Sequence, residues 1–309
     1  MKRTLKDYLI IASKGLGMGA ADVVPGVSGG TIAFITGIYE ELINSIKSVN
    51  LASLKLLFQG KIKEFWNAVN GTFLLSLLSG IFISVLSLAK LLKFLLENYP
   101  VLIWSFFFGL IVASALFVAK TIHKWDVGTI VSGILGTIIA YLITVIAPAE
   151  ANTSYPFIFM SGAIAICAMI LPGISGSFIL VLLGMYKFIL GAVSEMKILV
   201  ILTFMAGAGI GIIAFSNVLS WLLKKYHNLT IALLAGFMIG SLNKVWPWKQ
   251  VTETFTDRHG EIIPLVEVNV LPGTFAEITG QSAMLGAAIG LAVFGFVFIW
   301  VVEKMTAKK

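Results

Sequence analysis

The chain has 309 residues, 58% hydrophobic and 12% charged, with a mean hydropathy of +0.98, which is more apolar surface than a water-soluble fold can bury. That composition excludes an ordinary cytosolic enzyme, a disordered tail and a nucleic-acid module, and points to a bilayer. The net charge of +7, from 22 Lys and Arg against 15 Asp and Glu, is spread thinly between apolar runs, as suits contact with anionic lipid head groups and an orientation signal.

In chain order, Met1-Lys2-Arg3 resembles a signal-peptide n-region, but Asp7 and Lys14 interrupt the apolar core that would follow, so the start is expected to belong to the mature protein. Leu9 to Ile46 is apolar but broken at Pro25-Gly26, and residues 9–46 are expected to form a helical hairpin. Asn50 to Asn70, with Lys55, Lys61, Lys63 and Trp66, predicts an amphipathic helix over 50–70 on the inner surface. Thr72–Leu92, Val101–Ala119 and Val127–Ile146 each approach the roughly 20 residues that cross the hydrocarbon core. A second broken region, 157–193, is interrupted at Pro172-Gly173. Its arm Phe157–Leu171 would rise only about 22 Å against a core of about 30 Å. A re-entrant hairpin suits both the short arm and a break that needs shelter from lipid. Three more crossings are expected at Ile198–Leu223, at Leu229–Leu242 with its flanks, and at Gln281–Val302. The loop 244–280 lies between the last two, and Ile262–Val268 within it suits a short strand.

The broken regions repeat each other. Pro25-Gly26-Val27-Ser28-Gly29 aligns with Pro172-Gly173-Ile174-Ser175-Gly176 at an offset of 147, and Gly37-Ile38-Tyr39 then falls on Gly184-Met185-Tyr186. The expected fold is therefore an all-α integral membrane protein of two halves, 1–147 and 148–309, each a hairpin plus three transmembrane helices. A hairpin returns to the face it entered, so three crossings start the second half on the opposite face, and the repeat is inverted. With both termini cytoplasmic, fourteen Lys and Arg fall inside and seven outside, leaving Lys14 within the first hairpin, as the positive-inside rule requires.

A helix that begins inside the membrane aims unpaired N–H groups and a positive dipole end at its surroundings. Ser28, Gly29, Gly30 and Thr31 form one such start, and Ser175, Gly176 and Ser177 the other; together they are candidates to hold a phosphate or carboxylate. The plain alternative is that each motif turns its hairpin while Ser caps its own helix. Lys14 is an embedded cation suited to a negative head group. Asp22, opposite Met169 in the repeat, is a candidate for proton coupling, for pairing with Lys14, or for a local capping role. Tyr39, Glu40, Tyr186 and Lys187 are possible accessory residues, more commonly interfacial anchors. Trp104, Trp246, Trp248 and Trp300 suit belt or packing positions. The single cysteine, Cys167, sits in an apolar run, and His123, His227 and His259 are far apart in sequence, so no disulfide, metal site or cofactor is expected.

The stretch from Lys14 through Asp22 to Thr31, followed by Gly37-Ile38-Tyr39-Glu40, resembles the polyprenyl-phosphate transporter family, as does Leu171 to Ser177 with Gly184-Met185-Tyr186. The resemblance spans essentially the whole chain. It implies a bacterial plasma-membrane protein that returns undecaprenyl phosphate, the lipid carrier of envelope polymers such as peptidoglycan, from the outer to the inner leaflet. It also implies phosphate contacts at Lys14, Ser28, Gly29, Gly30, Thr31, Ser175, Gly176 and Ser177, with Asp22 as a further matching position suited to proton coupling. Phe178, where the first repeat has Thr31, departs from the symmetry. The competing functions are a transporter or channel for a small soluble anion, a lipid phosphatase, and a structural scaffold. A phosphatase would need a nucleophile or base beside several cations, and neither hairpin holds a histidine or arginine.

Overall fold

The computed structural model describes residues 3–24, 27–146, 149–256 and 262–307. Pro25, Gly26, Arg258 and His259 lie outside the described residues. The first half contains α1 (Leu5–Val23), α2 (Gly29–Ile35), α3 (Tyr39–Lys47), α4 (Leu51–Phe58), α5 (Ile62–Ala68), α6 (Gly71–Asn98), α7 (Pro100–Lys120) and α8 (Val127–Val145). The second contains α9 (Tyr155–Ile170), α10 (Gly176–Leu182), α11 (Tyr186–Ser194), α12 (Ile198–Lys225), α13 (His227–Ser241), β1 (Lys249–Thr256), β2 (Ile262–Asn269), α14 (Pro272–Thr279) and α15 (Leu285–Ala307).

Local chemistry sets several boundaries. Thr4 and Asp7 close a capping box at the start of α1, with the Thr4 N–H donating to Asp7 Oδ2 at 2.8 Å. Asp126 caps α8 by accepting from the Thr129 N–H at 2.9 Å. The amphipathic segment 50–70 is two short helices rather than one, because Gly60, at φ +73°, ends α4 in the left-handed region before α5 begins.

Among the described residues five helices, α6, α7, α8, α12 and α15, are long and apolar enough to cross a membrane; counting the bent pair α10 and α11, with 109° between them, as one span makes six. The stretch expected at Leu229–Leu242 forms α13, only 15 residues long, or about 22 Å of rise. This helix is buried along most of its surface between α7 and α8, so protein rather than lipid surrounds it. The chain is thus a helical, multi-span membrane protein carrying one antiparallel ribbon.

Element lengths recur along the chain. A helix of 19 or 16 residues is followed by helices of 7 and 9 residues and then, after α4 and α5 in the first half only, by one of 28. Helix α1 packs on α6 as α9 packs on α12, while α7 pairs with α15 and α8 with α13, so the last two pairs each join opposite halves. These four crossings are close because glycines stand at the contacts: a Cβ on Gly15, Gly207, Gly109 or Gly236 would meet a partner-helix carbonyl.

Beyond α13 the ribbon pairs Lys249 with Asn269 and Val251 with Glu267. Trp246 Nε1 donates to the Val270 carbonyl and Trp248 Nε1 to that of Ala283, both at 2.9 Å, so these two indoles fasten the ribbon rather than float at the lipid interface. Trp300 is 45% exposed, with Lys304 Nζ 3.6 Å from its ring centroid.

Candidate functional site

The two signatures meet inside the protein. In the first, Ser28 caps α2 by accepting from the Gly30 N–H at 3.1 Å, and Asp22 Oδ1 accepts from the Gly29 N–H at 2.7 Å. The opening amides of α2 are therefore satisfied by side chains of their own hairpin. The Ser28 hydroxyl also reaches the carbonyls at the end of α9, lying 3.0 Å from that of Met169 and 3.1 Å from that of Leu171. In return the Gly173 N–H donates to Thr31 Oγ1 at 3.1 Å. Ser28 and Thr31 are fully buried, so these bonds replace water that neither hydroxyl can reach.

Glycine makes the docking possible at two positions. A Cβ on Gly30 would run into the Ile170 carbonyl. Gly173 sits at φ +85°, and a Cβ there would come within 2.9 Å of the Phe237 carbonyl on α13.

The second signature is arranged differently. Ser175 makes no capping bond; its hydroxyl pairs with that of Ser177 at 2.7 Å. Ser175 sits at a small pocket between α8, the second hairpin and the end of α13, where Thr144, Phe178 and Lys244 contribute walls. Its free space of about 10 Å³ is on the scale of one water molecule. Lys244 Nζ lies 4.8 Å from the Phe178 ring centroid and 3.6 Å from Glu267 Oε2. Phe178, which replaces the hydroxyl of Thr31, thus supplies an aromatic face to a cation instead.

Glu267 is shared. Lys249 Nζ approaches the same Oε2 at 3.3 Å, donates to the Lys244 carbonyl at 2.7 Å and lies 4.0 Å from the Trp104 ring centroid. Burial pulls the Lys249 ammonium down to about 8, against the opposing pull of Glu267. Burial by itself would raise the Glu267 carboxyl, but Lys249 and Lys244 outweigh it and hold it below the usual carboxylate range.

The remaining candidates lie elsewhere. Lys14 Nζ donates to the Thr36 carbonyl at 2.6 Å, at the end of α2 opposite Ser28, so it is not brought to the hydroxyl cluster. Asp22 turns to Gly29 rather than to Lys14. Tyr39 is buried against Phe34, and its hydroxyl finds no partner among the described residues. Glu40 is exposed, whereas neighbouring Glu41 binds Arg3 with both oxygens, at 2.6 and 2.7 Å, and accepts from Asn70 at 2.8 Å. Tyr186 and Lys187 open α11, past the bend from α10. Tertiary folding brings the His123 and His227 rings to 5.9 Å, though they are distant in sequence. Among the described residues no three His, Cys, Asp or Glu side chains gather to hold a metal.

Sequence inspection missed Lys244, Lys249 and Glu267. All three lie in a loop whose charges look solvated, and the one available signal was the adjacency of Lys244 to the end of a predicted span.

Residues 18–263 match a family described as VCA0040-like, undecaprenyl phosphate translocase-like. A polyprenyl-phosphate transporter of Vibrio cholerae is 45% identical over 302 residues, covering 98% of each chain. A polyprenyl-phosphate transporter of Staphylococcus aureus is 32% identical over 252 residues, covering 76% of this chain and 84% of that one. No solved structure matches significantly.

Proposed function

The chain belongs to the undecaprenyl phosphate translocase-like family, and from that premise we propose that it carries a polyprenyl phosphate, undecaprenyl phosphate in the first instance, from the outer to the inner leaflet of the bacterial plasma membrane. Both termini are cytoplasmic in this reading, and the two halves are inverted repeats, each a re-entrant hairpin followed by three membrane helices. The observation that carries it is the meeting of Ser28 and Thr31 with the second hairpin, the buried Ser28 hydroxyl bonded to the carbonyls at the end of α9 and Thr31 accepting from the Gly173 N–H.

A lipid phosphate poses two problems at once: its head group needs polar partners at membrane depth, and its tail is best left in lipid. Paired hairpins address the first through Ser175, Gly176 and Ser177 on one side and Ser28, Gly29, Gly30 and Thr31 on the other, with Lys14 further along the first hairpin. Ser28 and Thr31 are engaged between the hairpins and the pocket at Ser175 has space on the scale of one water, which suits an occluded arrangement. Transport then requires the hairpins to part, by alternating access in which helix sets rock about them and expose the site to one leaflet and then the other. Asp22, held by the Gly29 amide at the hairpin tip, is the group that would couple this opening to protons.

The test is leaflet-resolved movement of labelled undecaprenyl phosphate in liposomes holding the purified protein, with Ser28→Ala/Ser175→Ala as control. Movement lost in the double variant supports the reading. No movement, with or without a proton gradient, refutes it in favour of a soluble-anion transporter.

A further inference from the structure

We propose that Lys244 is the cation that receives the substrate phosphate, and that Glu267 occupies that cation as an internal stand-in until a phosphate monoester arrives. The inference rests on the transport reading above and extends it to two residues outside the repeated signatures.

Three observations converge. Lys244 lines the same pocket as Ser175, whose hydroxyl is paired with that of Ser177, so a tetrahedral anion placed there meets one ammonium and the Ser175 hydroxyl. The pocket's free space of about 10 Å³ is too small for a phosphate, so this arrangement is closed. The anionic partner that Lys244 has here is Glu267, at 3.6 Å, delivered by strand β2 of the ribbon.

The exchange is inexpensive because Glu267 has two cations. When a phosphate draws Lys244 away, Glu267 keeps Lys249 at 3.3 Å, and Lys249 is itself fixed by the Lys244 carbonyl and the Trp104 ring. No carboxylate is left buried and unpaired, which would be the costly outcome. A phosphate monoester carries about −1.5 to −2 near neutral pH, against −1 for the carboxylate, so it competes well for one ammonium. Losing Lys244 also removes one of the ribbon's ties to the hairpin, which links arrival of the anion to loosening of this face.

Binding is measured on the purified full-length protein in nanodiscs, with farnesyl phosphate as a short lipid probe and inorganic phosphate as a soluble one. E267Q, in which the amide oxygen still accepts from Lys249, should tighten farnesyl phosphate binding about fivefold to tenfold. K244Q should weaken it by a similar factor, and in the K244Q background E267Q should bring no gain. E267D, which keeps the charge but falls one methylene short, should give a smaller gain and serves if E267Q fails to fold. Unchanged or weaker binding in folded E267Q and E267D overturns the proposal, even if the wild type transports lipid. Equal gains for both probes, in a protein that moves no lipid phosphate, uphold the exchange at Lys244 while refuting the lipid-transport reading.

Discussion

The Ser28 hydroxyl lies 3.1 Å from the carbonyl of Leu171 on the opposite hairpin, while Ser175, its counterpart in the repeat, turns to Ser177 instead. Two residues at matched sequence positions thus do different work: Ser28 joins the hairpins, and Ser175 faces a pocket.

That difference separates the two alanine variants. Ser28→Ala removes a helix cap and the buried hydroxyl that reaches the Met169 and Leu171 carbonyls, and should cost about 1–2 kcal/mol of stability. Ser175→Ala removes only a hydroxyl pair and should cost about 0.5 kcal/mol or less, while reducing transport at least as strongly. Thermal unfolding in detergent, read beside the liposome assay, checks both; equal destabilisation would contradict the assignment.

Gly30 tests the docking of the hairpins by shape alone. Gly30→Ala places a methyl group against the Ile170 carbonyl and should destabilise by about 1–3 kcal/mol. Gly209→Ala, on α12, meets nothing within 4 Å and should be neutral or slightly stabilising. The melting temperatures of the two variants should therefore move apart.

Asp22→Asn retains an oxygen to accept from the Gly29 N–H, so folding should be nearly unchanged, but the residue can no longer titrate. In the proton-coupled reading, the pH dependence of transport flattens in this variant. An identical pH profile in wild type and Asp22→Asn would remove Asp22 from the coupling.

Glu267 gives a pH-dependent signature of stability. Its folded-state pKa lies below the usual value of about 4.3, so its contribution is fully present above that value and is lost as pH falls through the folded one. Wild type should exceed E267Q by about 1–2 kcal/mol at pH 7, and the two should converge in acid. The gap should also narrow above about pH 8, where Lys249 gives up its proton. Melting curves across this range measure it, and a constant gap would exclude the ion pair as its source.

Much of the architecture was legible in the sequence because bilayers impose simple constraints. Continuous apolar runs became α6, α7, α8, α12 and α15, since a lipid-exposed backbone must satisfy its own hydrogen bonds. Pro172-Gly173 marked a real break, because proline ends a helix and Gly173 takes up a left-handed turn. The run at Leu229–Leu242 was less legible: a helix sheltered by α7 and α8 need not be long enough to span, and hydropathy cannot distinguish protein from lipid surroundings.

Residence in a membrane, the approximate positions of the crossings and the two repeated motifs all follow from composition, run length and residue identity, which are local properties of the chain. Packing of the helices is what engages Ser28 and Thr31 with the opposite hairpin, sends Lys14 to Thr36, and brings Lys244 between the Ser175 pocket and Glu267. Those outcomes depend on which side chains helix packing brings within about 3 Å of one another, a distance that no spacing along the chain encodes.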